Sequence, residues 1–119
     1  MTTFFQTKVN MAPISLESIQ QQEVVPGFFA RFIHTDNMTF AYWRITAGHS
    51  IFEHSHIHEQ VVNGLEGKFE LIVNGEPVMV APGTVVVIPS NVKHSGKAIT
   101  DCKLLDVFYP VREDYRSLH

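Results

Sequence analysis

An all-β barrel or sandwich is the fold class that this sequence predicts, from three observations. Short β-rich runs, dense in valine, isoleucine and phenylalanine, follow one another along the chain. Turn signals built from proline, glycine, asparagine and aspartate separate them at short intervals. No stretch carries a convincing helical period, and there is neither an internal repeat nor a low-complexity tract. With 119 residues, 45% of them hydrophobic, the chain can bury one proper core and is too short for two.

Residues 1–27 are mixed in character and end at Pro26-Gly27; they read as an N-terminal arm holding at most one short strand or a turn of helix. GFFARFIHTDNMTFAYWRITAG then predicts a hairpin that turns at Thr35-Asp36-Asn37. In its second run Phe40, Tyr42 and Arg44 share one face and Ala41, Trp43 and Ile45 the other. Both faces are apolar enough that alternation alone leaves open which one points inward. After the segment Gly48 to Gly67, KFELIVNGEPVMV predicts a second hairpin with Asn74-Gly75 at its tip, among the strongest short-range turn signals. Ala81-Pro82-Gly83 turns the chain into TVVVIP, a nearly continuous β-branched strand, and ITDCKLLDVFYP supplies the last strand, broken by Pro110. The barrel is accordingly expected over residues 28–115, with 116–119 as a short C-terminal tail.

The segment GHSIFEHSHIHEQVVNGLEG is the one around which the rest is organised. His54 and His56 are two apart, so in an extended strand both imidazoles leave the backbone on one face. Together with His58 and Gln60 they crowd potential metal donors into a few residues. The glycines at either end suit a strand that turns or passes close to a neighbour. A pair of histidines in a chain with seven is a weak signal by itself. It gains weight from APGTVVVIPSNVKHSGKA, where Pro89 closes an apolar run and His94 follows the turn. Neutral imidazole is the commonest biological metal ligand, and divalent first-row metals accept three imidazoles and an oxygen donor.

These two stretches resemble the paired motifs of the cupin superfamily. Gly48, His54, His56, Gln60 and Gly67 fit the spacing of the first, with glutamine where glutamate is usual; Gly83, Pro89 and His94 fit the second, while Asn91 and Ala98 depart from it. Asparagine can replace a turn glycine because it tolerates a left-handed backbone. The resemblance implies a single-domain cupin, a jelly-roll-like double-stranded β-helix, with one divalent transition metal held by His54, His56, Gln60 and His94. The donor set accepts zinc, nickel, manganese, iron or copper. With a neutral amide among three neutral imidazoles the shell keeps a charge near that of the bare ion. Such a site attracts an anionic ligand. It also stabilises an oxidised ion less well than a carboxylate would, which favours Lewis-acid chemistry over oxygen activation.

DVFYPVREDY, beginning at Asp106, is the second informative stretch. Asp106 and Phe108 share a strand face, and an aspartate within an apolar strand is unusual. It either serves the site or pairs with Arg112 or a backbone donor as structural glue. Joined to HSHIHEQ, this ending is similar to that of the KdgF family of small cupins, over roughly residues 28–115. That resemblance implies conversion of 4,5-unsaturated monouronates, released from pectin or alginate by lyases, into the linear 4-deoxy-5-keto uronate. It makes Asp106, Phe108 and Arg112 the active-site residues beside the metal, and implies a homodimer, with the arm crossing over. The alternatives carried with it are a non-catalytic sugar-acid binding or sensing cupin and a cupin dioxygenase.

The remaining residues narrow the field. A net charge of −3 and the absence of a basic run argue against nucleic acid. The single cysteine, Cys102, allows no intrachain disulfide and reads as a small buried hydrophobe. The N-terminus lacks the charged start and apolar core of a signal peptide, and no apolar run reaches membrane-spanning length, so a soluble, cytoplasmic protein is expected. His58 follows an expected bend, which favours a place behind the ligands or at the surface. His34 and His119 are expected in solvent, and His49 at the surface or the pocket mouth. Arg31, Tyr42 and Arg44 would reach an anionic ligand if their faces pointed inward.

Overall fold

In the computed structural model, which describes residues 11–118, ten strands form two antiparallel sheets. Their order along the chain is β1 (Gln22–Val25), β2 (Phe28–His34), β3 (Thr39–Ile45), β4 (Ser50–His54), β5 (Glu59–Glu66), β6 (Phe69–Val73), β7 (Glu76–Val80), β8 (Val85–Ile88), β9 (His94–Ala98) and β10 (Cys102–Tyr109). A 3-10 turn over Leu16–Ser18 precedes them and a short helix, α1 (Glu113–Arg116), follows. The sheet β1-β2-β3-β10-β5-β8 faces the sheet β4-β9-β6-β7, the jelly-roll arrangement. The first part of the N-terminal arm, residues 1–10, and His119 lie outside the described residues. The rest of the arm contributes β1, which pairs with β2.

Burial settles the face that alternation left open. Ala41, Trp43 and Ile45 point into the barrel, as do Leu104, Asp106 and Phe108 of β10 and Gln60 and Val62 of β5. Phe28, Phe69, Leu71, Val80 and Ile88 complete the core from both sheets. Each such fully buried large side chain contributes roughly 1.5–3 kcal/mol. The outward residues are a different set. Arg44 lies with its guanidinium 4.5 Å from the centre of the Phe29 ring. Arg31 is tied to the Ile19 carbonyl and to Gln21. Neither these arginines nor Tyr42 reaches the interior.

The tip of the β6–β7 hairpin has Asn74 and Gly75 both at positive φ, 49° and 81°, as the two-residue turn that matches strand twist requires. Asn91 also takes a left-handed backbone, φ 65°, where a glycine is usual in the second motif. Gly67 needs its missing side chain for two reasons: its φ is 73°, and a Cβ there would come within 2.1 Å of the Asp101 carbonyl oxygen.

Candidate metal centre

One end of the barrel gathers the histidines of both motifs. His54, the last residue of β4, and His94, the first of β9, are direct cross-strand partners, with ring centres 4.3 Å apart. Between Ile51 and His54 the pairing register slips by one residue, a bulge. The extra residue lets both Ile51 and His54 turn inward despite their odd spacing. His56 is not on the strand with His54, as simple alternation predicted, but in the β4–β5 loop, which bends back over the site. That loop is pinned where the Asn91 backbone N–H donates to the His56 carbonyl at 2.8 Å, and where the Ser90 hydroxyl donates to the Ile57 carbonyl. Gln60 comes from the opposite sheet, on β5.

The three imidazoles are oriented alike. His54 Nδ1 faces the Phe52 carbonyl at 2.8 Å, His56 Nδ1 the His58 carbonyl at 2.9 Å and His94 Nδ1 the Val92 carbonyl at 2.9 Å. A carbonyl can only accept, so each Nδ1 carries the proton and each Nε2 presents its lone pair. One ligating nitrogen from each ring lies within 4.8 Å of the others. His94 Nε2 is buried and without a hydrogen-bond partner. Burial first, then the charge of Arg112 and the neighbouring His94, push the His56 pKa down to about 4. Burial also lowers that of His94. Both rings are therefore neutral near pH 7, the form that binds metal.

Gln60 completes the set. Its Oε1 lies 3.1 Å from His56 Nε2, and its Nε2 donates to Asp106 Oδ2 at 3.0 Å. Two acceptors facing each other at that distance repel, and a cation between the donor atoms removes the conflict. The residues present thus fit a divalent ion: three tethered imidazole nitrogens, an amide oxygen and an orphaned buried Nε2.

Beneath this cluster lies a cavity of about 50 Å³, lined on the polar side by His54, Gln60, His94, Asp106 and Arg112, with Phe108, Trp43 and Tyr115 among its aromatic walls. The structure brings together all seven residues singled out from the sequence as ligands or active-site groups. Asp106 sits between Gln60 and Trp43 on the diagonals of the sheet, opposite the small Ala41 on β3. Its Oδ1 and Trp43 Nε1 are both buried and outside hydrogen-bonding geometry, yet the indole N–H is near enough to favour the carboxylate. Burial dominates over that pull, and over those of Gln60 and Arg112, and raises the Asp106 pKa to about 7.

Arg112 is engaged within the chain. Its fork holds Asp114, with Nε to Oδ1 at 2.9 Å and Nη2 to Oδ2 at 2.7 Å. The guanidinium is stacked 3.9 Å from the Tyr115 ring centre and 4.7 Å from that of Phe108. Its backbone N–H donates to the buried Thr39 hydroxyl. Asp106 does not pair with it. Trp43 and Tyr115, which sequence reasoning did not place in the site, enter it because β3 turns its Trp43 face inward and α1 folds Tyr115 back over Phe108 and Phe32. His58 lends its carbonyl to His56 and stands outside the ligand cluster. His34 is half-buried, stacked on Phe32, rather than solvated. His49 packs over Gly27 at the far end of the barrel, not at the pocket mouth.

Comparisons with known proteins agree with this picture. The structure of KdgF from a Halomonas species superposes with a TM-score of 0.79 at 27% identity, covering 83% of this chain and 94% of that one. An RmlC-like cupin from Shewanella frigidimarina gives the same TM-score at 25% identity, over 83% of this chain and 90% of that one. By sequence, the uncharacterized protein SCO3923 of Streptomyces coelicolor is 29% identical over 85 residues, 71% of this chain and 81% of its own length. Residues 41–108 match the Cupin domain family, the stretch that runs from β3 through both histidine motifs to Phe108. The chain therefore belongs to the cupin family.

Proposed function

We propose that this cupin is a metal-dependent, redox-neutral enzyme that converts a 4,5-unsaturated monouronate into the linear 4-deoxy-5-keto uronate. The observation that carries the reading is the placing of three metal-ready imidazoles and Gln60 directly over a cavity that exposes a buried carboxyl, Asp106. The structural likeness to KdgF supports the substrate class. A divalent ion held by His54, His56, His94 and Gln60 would supply Lewis acidity toward the oxygens of the substrate.

The protein's own groups account for the proton movements. Opening the ring removes the proton of the anomeric hydroxyl, breaks the bond between the anomeric carbon and the ring oxygen, and leaves an enolate over carbons 4 and 5. Ketonisation then delivers a proton to carbon 4, so atoms and electrons balance without an oxidant. Asp106 is the lining carboxyl that can take the first proton and return the second, and its Oδ1 is the oxygen without a protein partner. Phe108 offers an apolar edge for the sugar ring. Arg112 places a fixed positive charge beside the cavity that favours an anionic ligand without surrendering its bond to Asp114. We further propose that the working unit is a homodimer.

Absorbance of the enol band of a lyase-generated unsaturated monouronate tests the reading. Protein loaded with metal should speed its loss well beyond the spontaneous rate, and protein stripped by chelator should not. Saturable binding of unchanged ligand would instead make this a binding cupin, and substrate-dependent oxygen uptake would make it a dioxygenase.

A further inference from the structure

The Gln60 amide has two ways to sit, and the structure shows what chooses between them. Turned as it is, its oxygen faces His56 Nε2 at 3.1 Å, acceptor against acceptor. Turned over, its NH2 would satisfy His56, and the local conflict would vanish. The flip is blocked from behind: the amide nitrogen donates to Asp106 Oδ2 at 3.0 Å, and a flipped amide would set its oxygen against that carboxylate. The contact is built into the sheet, since Gln60 pairs with Phe108 and Asp106 with Val62, which makes the two side chains diagonal neighbours on adjacent strands.

We infer that Asp106 is a positioning residue for Gln60: by accepting the hydrogen bond of its side-chain NH2, it selects the amide orientation that offers oxygen to the metal. The inference rests on the metal-binding reading of the site and not on the uronate reaction. It also accounts for a glutamine at a position where cupins commonly carry glutamate, because a glutamate here would face the Asp106 carboxylate across the same diagonal. Oδ1 takes no part in that hydrogen bond, so the positioning and proton-transfer roles use different oxygens of one carboxyl.

The test reads metal affinity, not turnover. Co(II) binding is measured by competition with a chromophoric chelator and by the visible bands of the bound ion, for wild type, Asp106→Asn, Asp106→Leu, Gln60→Ala and the double variant Gln60→Ala/Asp106→Leu. Asp106→Leu should weaken binding about 10–100-fold and alter the visible bands. Asp106→Asn, whose carbonyl oxygen can accept the same hydrogen bond, should stay within a few-fold of wild type. In the Gln60→Ala background the leucine substitution should change affinity by no more than about twofold, because the group it acts through is gone. Asp106→Ala serves as a second truncation where leucine does not fit. Wild-type affinity in the truncated variant, an equal loss in the Gln60→Ala background, or an asparagine variant as weak as leucine would each overturn the inference. Wild-type protein that takes up no Co(II) would overturn the metal reading and the inference together. Lack of uronate turnover would leave both standing.

Discussion

Cys102 is 3% exposed at the start of β10, and burial, reinforced by the charge of Asp101, pushes its thiol up to about 11. The thiolate is the reactive form, and a raised pKa makes it rarer than in free cysteine at any pH below that value. At pH 8 the native protein should therefore resist iodoacetamide and react only as it unfolds; mass spectrometry of protein treated with and without denaturant checks this, and modification at the rate of a free thiol would contradict it. At this scale the donor identities were legible in the sequence, because HSHIHEQ and the His94 stretch carry their chemistry in residue type and spacing. What could not be read was the choice of partner. Arg112 meets Asp114 two residues away rather than a ligand, and that depends on how α1 folds back, which no short-range pattern specifies.

Among the elements, turns were the most readable features, since each depends on a few adjacent residues with restricted backbones. Asn74-Gly75 forms the expected tip, and Asn91 takes the left-handed backbone argued for it. Two glycines at similar positive φ then separate conformation from contact. A Cβ at Gly75 meets nothing within 4 Å, whereas at Gly67 it meets the Asp101 carbonyl. Gly75→Ala should cost roughly 1 kcal/mol from backbone conformation alone. Gly67→Ala should cost clearly more, because the β5–β6 turn must also move off that oxygen; urea unfolding of the two variants measures the difference, and equal costs would show that the turn yields freely. Strand parity misplaced His56 by comparison. Alternation assumes an unbroken strand, and here β4 bulges and then ends at His54. Both events are set by the partner strand β9, which lies some forty residues further on and is invisible to a local pattern.

On the scale of the whole molecule, an apolar row crosses the outer face of the larger sheet. Ile33, Phe40, Val107, Val61 and Val87 are successive cross-strand partners from β2 to β8. The row ends on an open edge strand where Val85 and Val87 are 58% and 55% exposed. Such edges and faces are commonly covered, and in the proposed homodimer a second copy would cover this one. Sedimentation at micromolar concentration should show a dimer, and Val87→Glu, which puts a charge on that face without touching the core, should shift it to monomer while leaving metal uptake unchanged. A wild-type monomer would remove the proposal. Among the described residues no helix is long and apolar enough to cross a membrane. The two-sheet architecture was legible from strand and turn content, but the pairing order was not, because β3 next to β10 and β4 next to β9 bring together strands far apart in the sequence.

That pairing order has a mechanical consequence. His54 and His94 belong to the smaller sheet and Gln60 to the larger, so an ion on these donors would join the two layers at that end of the barrel. A bound ion would act there as a removable rivet. Its grip on the folded chain would grow with the logarithm of free ion, by about 2.7 kcal/mol at a hundred times the dissociation constant. In the proposed enzyme the mouth of the site would thus also be a seam whose stiffness the surrounding metal concentration sets.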